Sequence, residues 1–290
     1  MDMEIVEDTF AEAFTSTYSR ILITASDRKW AEIAAKIATG YGTSMIDCSA
    51  ETGIEGPLPT TTPDSREGVI IQIWTSKKKM KGELLGRLGQ CVLTSPTASA
   101  WNHCESVDKL DVGRAMGFFG DGYQEERVLN GRKVVAIPIM MGEFLIEGDF
   151  GVAEGVAGGN FFILAKTQEG ALKAAENAVE AINKLDGVII PFPGGICASG
   201  SKIGSKYKFL SASTNEKYCP SIADKIADSE VKGIGGVAEI VIDGIDEERV
   251  RDAMRVGIQG ASSLEGVVKI TAGNYGGELG DIKIRLRDLF

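Results

Sequence analysis

The chain has 290 residues, 43% hydrophobic and 25% charged, with a net charge of −10, the profile of an ordinary globular protein with room for two cores of about 145 residues each. The acidic balance argues against a nucleic-acid or anionic-membrane partner, and no apolar run reaches the roughly 18 residues of a membrane span. One histidine, and five cysteines without a Cys-x-x-Cys pair, argue against Ser-His-Asp chemistry, Cys-His proteases, His-ligated metals, zinc knuckles and iron–sulfur clusters. The acidic start MDMEIVEDTF predicts no signal peptide, so a cytoplasmic location with reduced thiols is expected.

Ser19 to Thr24 reads as an apolar strand, and Asp27 to Thr39 as a helix with Trp30, Ile33, Ala34 and Ile37 at helical spacing, stopped by Gly40-Tyr41-Gly42. A strand is expected at Thr43 to Ile46, a loop from Asp47 to Arg66, a strand at Val69 to Trp74 and a helix at Glu83 to Leu93. Arg114 to Met141 supplies two or three further strands, with Phe119 to Tyr123 (FGDGY) as a hairpin turn between them.

The same order then repeats. Asn160 to Ala165 is a strand, and Glu169 to Leu185 a helix with Leu172, Ala175, Ala178, Val179 and Ile182 on one face; Gly187 to Ile190 is a strand. After a polar helix at Ile222 to Ala227 come the strand Val237 to Ile242, the helix Glu247 to Gly260 and the strand Val267 to Ile270. Two copies of β-α-β-β-α-β predict an α+β fold of two duplicated ferredoxin-like (split β-α-β) lobes, residues 1–145 and 146–290. Their boundary falls in the glycine-rich stretch Gly142 to Gly159, which suits a hinge or tight crossover.

Between the halves of the second copy runs PFPGGICASGSKIGSKY, Pro191 to Tyr207. Prolines of fixed φ lead into Gly194-Gly195, followed by the donors Ser199, Ser201, Lys202, Ser205 and Lys206. Two readings stand open: a ligand-binding loop at the end of a buried strand, or a surface turn. The spacing Gly195 to Lys202 lacks the Gly-Lys-Ser/Thr ending of a phosphate loop. Gly155 to Gly159 precedes a strand, so the dinucleotide fingerprint fails as well.

Taken in order, EDTFAEAF (Glu7 to Phe14), ATGYGTS (Ala38 to Ser44), FGDGY, GEFLIEGDFGVAEGVAGGNF (Gly142 to Phe161), the Pro191 to Tyr207 loop and TAGNYGGELG (Thr271 to Gly280) resemble the formylmethanofuran:tetrahydromethanopterin formyltransferases of archaeal one-carbon metabolism and methanogenesis. The resemblance spans essentially the whole chain. It implies a salt-favoured homotetramer, a dimer of dimers, of two-lobed ferredoxin-like chains. It implies no metal and no permanently bound cofactor, with formylmethanofuran and tetrahydromethanopterin, or a close relative, as coenzyme substrates. The formyl group would pass from the furfurylamine nitrogen to N5 of the pterin. The alternative is a non-catalytic duplicated ferredoxin-like ligand-binding or regulatory module, which would have no need of the long Gly/Ser loop.

Formyl transfer passes through a tetrahedral intermediate, so it needs donors for an oxyanion and an acid for the departing amine. The donors expected are backbone N–H groups around Gly194, Gly195 and Ile196, or Ser199 and Ser201. With one histidine, the proton carrier is expected to be a carboxyl group of raised pKa. Glu239, the one charge inside VAEIVI, is the candidate, and the resemblance matches it to a buried catalytic glutamate of the second lobe. Alternation leaves open that Glu239 faces solvent or an ion pair. Glu147, Asp149 and Glu154 are rivals read as solvated. Further substrate contacts are expected from Lys202 and Asn160, and from the rings of Phe144 and Phe192, with Phe150, Phe161 and Tyr207 near them. Cys197 is either a packed thiol or, beside Lys202 and Lys206, a nucleophile carrying the formyl group.

Overall fold

The structure, a computed structural model, describes residues 3–290; Met1 and Asp2 of the expected first lobe lie outside the described residues. It is a mixed α+β fold of two compact units. One comprises Ser16–Gly42 and Ser49–Glu154, the other the described part of Met1–Thr15 with Thr43–Cys48 and Gly155–Phe290. The division therefore does not fall as a single cut at 145. The reason is β1 (Phe10–Ala25), a continuous 16-residue strand whose first residues belong to one unit and whose remainder belongs to the other. Only its apolar end stands out by composition, because Glu12 and small residues break the pattern before it.

In the first of these units, α1 (Arg28–Thr39) is capped by Asp27, whose carboxylate accepts the Trp30 N–H at 3.1 Å. Its buried face is alanine: Ala31, Ala34, Ala35 and Ala38 lie inward, while Ile37, read as inward, is exposed. Small residues let the helix approach the sheet closely. β2 (Glu51–Ile54) lies within the segment expected to be loop, and no strand forms at 43–46. Then come β3 (Glu67–Trp74), α2 (Lys77–Arg87) and β4 (Ser99–Asn102). The helix starts at Lys77, ahead of the expected Glu83, because the polar KKKMK run carries only Met80 as an inward signal; past Arg87 the coil widens into a π turn, Leu88–Val92. These strands pair in the order β2-β3-β1-β4, all antiparallel. Ile21, Ile23, Ile71, Ile73, Met80 and Leu84 fill the space between sheet and helices.

The unit continues through β5 (Lys109–Asp111), α3 (Gly113–Gly117), β6 (Glu125–Leu129), β7 (Arg132–Ile139), β8 (Gly142–Glu147) and β9 (Asp149–Gly151). FGDGY is not a hairpin turn between strands. It closes α3 as a 3₁₀ turn, Phe118–Gly120, ended by Asp121 at φ 51°. The hairpin is Asn130-Gly131, between β6 and β7, both left-handed as a two-residue turn requires. The expected hinge at 142–159 is likewise strand: β8, β9 and the start of β10 (Ala153–Ala165).

In the second unit β10 is followed by α4 (Gln168–Ile182), β11 (Val188–Ile189), the short hairpin strands β12 (Lys202–Ile203) and β13 (Ala212–Ser213), β14 (Gly236–Gly244), α5 (Glu247–Ser262), β15 (Val267–Thr271) and β16 (Ile282–Arg285). The polar helix expected at 222–227 is a 3₁₀ turn, Pro220–Lys225. Thr167 and Asp246 cap the two helices, accepting from Gly170 N–H at 3.0 Å and Arg249 N–H at 2.9 Å. The sheet order is β11-β14-β10-β15, and β16 pairs with β1 over Phe10–Ala13. Numbered along the chain among these four strands of each sheet, both run second-third-first-fourth. α4 and α5 cross closely: a Cβ on Gly260 would lie 2.8 Å from the Asn177 carbonyl oxygen. Phe161, Ile163, Ile240, Ile242, Val250 and Met254 form the core beneath them. No helix among the described residues is long and apolar enough to cross a membrane.

Candidate active site

The period-two alternation of β14 decides where Glu239 goes. Ala238 and Ile240 enter the core under the helices, so Glu239 points to the sheet's other face. There it stands opposite Phe162 of β10. The Gly/Ser loop folds back onto this spot. Gly195 N–H donates to the Phe192 carbonyl at 2.8 Å and Ile196 N–H to that of Pro193 at 3.2 Å, with Gly194 and Gly195 at φ 62° and 80°. The chain leaves this turn extended, and Cys197 forms a two-bond antiparallel bridge with Glu239, its N–H donating at 2.8 Å and its carbonyl accepting at 3.1 Å.

The result is a small cleft of about 40 Å³. Phe162, Cys197, Ser199, Asn215, Tyr218 and Glu239 line it. The Tyr218 ring stands edge-on to Phe162, 4.8 Å between centroids. Glu239 is partly buried, and burial pushes its carboxyl up to about 7, although a hydrogen bond from the Cys197 thiol pulls the other way. The Cys197 thiol is raised by its own burial first and by the Glu239 charge second. Its sulfur receives the backbone N–H groups of Ser199 and Gly200 and lies 3.5 Å from the Ser199 hydroxyl. Cys197 is thus held as a thiol that orients the carboxyl group.

Of the residues singled out from the sequence, the structure brings Glu239, Cys197 and Ser199 together. The N–H groups of Gly195 and Ile196, expected to face an oxyanion, are committed to the turn's own carbonyls. Gly195 is packed against Ile190 and Val179, Ile196 lies against the helix-side core, and Gly194 and Ser201 are exposed. Phe192 is half-buried before the turn. Lys202 is in β12, ion-paired to Glu216. Asn160 is bonded to Gly273 in both directions, accepting its N–H at 2.6 Å and donating to its carbonyl at 3.3 Å. Phe144 is no ligand surface: it is wholly buried in the other unit's core with Phe150. Glu147 pairs with Arg132 at 2.8 Å. Among the described residues no group of three or more His, Cys, Asp or Glu could hold a metal ion.

Sequence reasoning missed Phe162, Asn215 and Tyr218. Phe162 was legible in principle, since it alternates with the core residues Phe161 and Ile163. Asn215 precedes and Tyr218 ends a three-residue 3₁₀ turn, Glu216–Tyr218, too short to carry a periodic signal.

Two family models together match nearly the whole chain. The one described as formylmethanofuran-tetrahydromethanopterin formyltransferase covers residues 1–139, and that described as its proximal lobe covers 142–289. A protein of that name from Methanothermus fervidus is 57% identical over 98% of both chains. Another, from Methanothermobacter thermautotrophicus, is 54% identical over the same share. Among solved structures, the formyltransferase from Methanosarcina barkeri matches with a TM-score of 0.94 and 51% identity over 98% of both chains. A chain of the formyltransferase/hydrolase complex of Methylorubrum extorquens, solved with methylofuran, matches with a TM-score of 0.93 and 42% identity over 98% of this chain and 96% of that one.

Proposed function

The chain belongs to the formylmethanofuran–tetrahydromethanopterin formyltransferase family, and we propose that its formyl transfer runs through a ternary complex at the Glu239 cleft. The enzyme moves a formyl group from formylmethanofuran to tetrahydromethanopterin; N5 of that pterin, or of a close relative, is the acceptor atom of this reading. The non-catalytic module is not favoured, because the matched relatives are named as enzymes over their full length.

The pterin nitrogen attacks the formyl carbon, and the carbonyl electrons move onto oxygen. The Ser199 hydroxyl, in the cleft wall, is the side-chain donor placed for that oxyanion. Collapse breaks the bond to the methanofuran nitrogen, which must leave as a neutral amine and therefore needs a proton. Glu239, whose carboxyl burial pushes up to about 7, can carry a proton at neutral pH and give it. It recovers one from the attacking nitrogen, so the cycle closes without net proton change. Direct transfer is preferred to an acylated Cys197 because burial and the Glu239 charge hold that sulfur as the thiol, the opposite of what a nucleophile requires.

The reading extends to the fold and the assembly. The shared second-third-first-fourth strand order supports two duplicated ferredoxin-like lobes. A homotetramer without a permanently bound cofactor, working in the cytoplasm, completes it. The observation that carries the mechanism is the Glu239 carboxyl on the cleft side of β14, bridged by Cys197 and pushed up by burial. Glu239→Gln should lower kcat by about 10²–10⁴-fold while KM changes by less than about threefold. Steady-state formation of formyl-pterin measures both, and an unchanged kcat removes Glu239 from the role.

A further inference from the structure

The Glu12 carboxylate, only 2% exposed, accepts four backbone N–H groups from one loop. Tyr275 and Gly277 donate to one oxygen, and Leu279 and Gly280, at 3.2 and 2.9 Å, to the other. Tyr275 donates at 3.0 Å across 263 residues of sequence. Gly276 and Gly277 are both left-handed, φ 74° and 80°, which turns successive N–H groups onto the same anion. Gly280 approaches so closely that a Cβ there would lie 2.7 Å from the Ala13 carbonyl and 2.8 Å from Cβ of Glu12. The glycines of NYGGELG are thus explained by the anion they enclose.

The other end of the loop is fixed beside the cleft. Asn160 holds Gly273 in both directions, and a Cβ on Gly273 would meet the Phe162 ring at 3.0 Å. Phe162 is the cross-strand partner of Glu239. Between the two anchors stands the Tyr275 ring, 38% exposed, its phenol raised by burial first and then by the charges of Glu239 and Glu12. The ring therefore lies within electrostatic reach of the proposed acid.

We propose that Glu12 is a positioning residue for formyl transfer, clamping the 273–280 loop so that the Tyr275 phenol is presented to the coenzyme bound at the Glu239 cleft. This rests on the cleft being the site of transfer. A negative charge inside a loop of converging N–H groups costs little to bury and leaves the loop few alternative conformations. Preorganisation of this kind acts on the transition state through the group it holds.

A double-mutant cycle read on formyl transfer tests it. Glu12→Gln keeps the shape but leaves one accepting oxygen for four donors, and should lower kcat/KM about tenfold or more. Tyr275→Phe should lower it about tenfold, and the double variant no further than the weaker single variant. Circular dichroism and size exclusion should match the wild type, and hydrogen exchange at Tyr275, Gly277, Leu279 and Gly280 should quicken in Glu12→Gln alone. Losses that multiply in the double variant, or full activity in Glu12→Gln, overturn the proposal. If Glu12→Gln does not fold, Gly276→Ala replaces it in the cycle, since its Cβ meets nothing within 4 Å and only the left-handed backbone resists. An unaltered rate in Glu239→Gln would sink the acid assignment, whereas the Glu12–Tyr275 coupling is read independently of it.

Discussion

Glu239 and Cys197 form one electrostatic unit, and its pH behaviour has a definite sign. A carboxyl whose folded-state pKa is about 7, above the usual range for glutamate, binds its proton more tightly folded than unfolded. The protonated form therefore stabilises the fold at low pH, and that contribution is lost as pH rises through about 7. In the proposed transfer the same proton goes to the leaving amine, so kcat should fall on the alkaline side with an apparent midpoint near 7. Glu239→Gln should erase that limb and, at pH 8, melt higher than the wild type, by about 1–2 kcal/mol equivalent. Cys197→Ala removes the thiol that favours the ionised carboxyl, so it should retain transfer to within about tenfold and move the alkaline limb upward. Pre-steady-state transfer across pH checks both, and loss of activity in Cys197→Ala would favour an acylated thiol. Glu239 was legible as the single charge in an apolar strand. The commitment of the Gly195 and Ile196 N–H groups was not, because a sequence shows that donors exist and not which acceptors a turn supplies.

At the scale of elements, the turn before Cys197 sets the cleft. Gly195 has φ 80°, and a Cβ there would collide with Ile190 and lie 2.9 Å from a methyl of Val179. Gly195→Ala should destabilise by about 2–4 kcal/mol, through left-handed strain plus overpacking, and should weaken the Cys197–Glu239 bridge with it. Urea denaturation measures the first effect and the alkaline limb of kcat reports the second. Helices with a periodic apolar face were legible from sequence, and in the structure Asp27, Thr167 and Asp246 cap three of them. The elements that escaped are those whose signal lies in pairing. β2 is four residues of ETGI and is a strand because β3 lies beside it. The first residues of β1 have no apolar run, yet they pair with β16 at the far end of the chain. FGDGY reads as a hairpin from its glycines, while the Asn130-Gly131 turn that serves as one carries the stronger signal.

For the whole molecule, the recurrence of strand order does not extend to chemistry. Counting from the first paired residue of the third strand, Ile70 stands where Glu239 stands, opposite Leu22 rather than Phe162. The carboxyl is present once per chain, and the equivalent position is filled with core, Ile70 packing with Leu22, Trp101 and Val134. The mixed α+β order of elements was legible in the sequence; the sharing of β1 between the two compact units was not, because its first residues carry no apolar run. A fragment of residues 146–290 lacks the partner of β16, the anion inside the 273–280 loop and the Thr15 hydroxyl that bonds Asp281. It should remain protease-sensitive and lack a cooperative melt, and adding residues 1–15 should bring protease resistance and a cooperative melt; a cooperative melt in the bare fragment would refute this. The pairing of Phe10–Ala13 with Ile282–Arg285 also orders events on the ribosome. The segment Ser16–Glu154 has all its strands in hand once that stretch has emerged, whereas the N-terminal strand end must wait until Ile282–Arg285 have been translated. Until then that edge has unpaired backbone, so the nascent chain presents its own aggregation-prone strand while α4, β14 and α5 are being made.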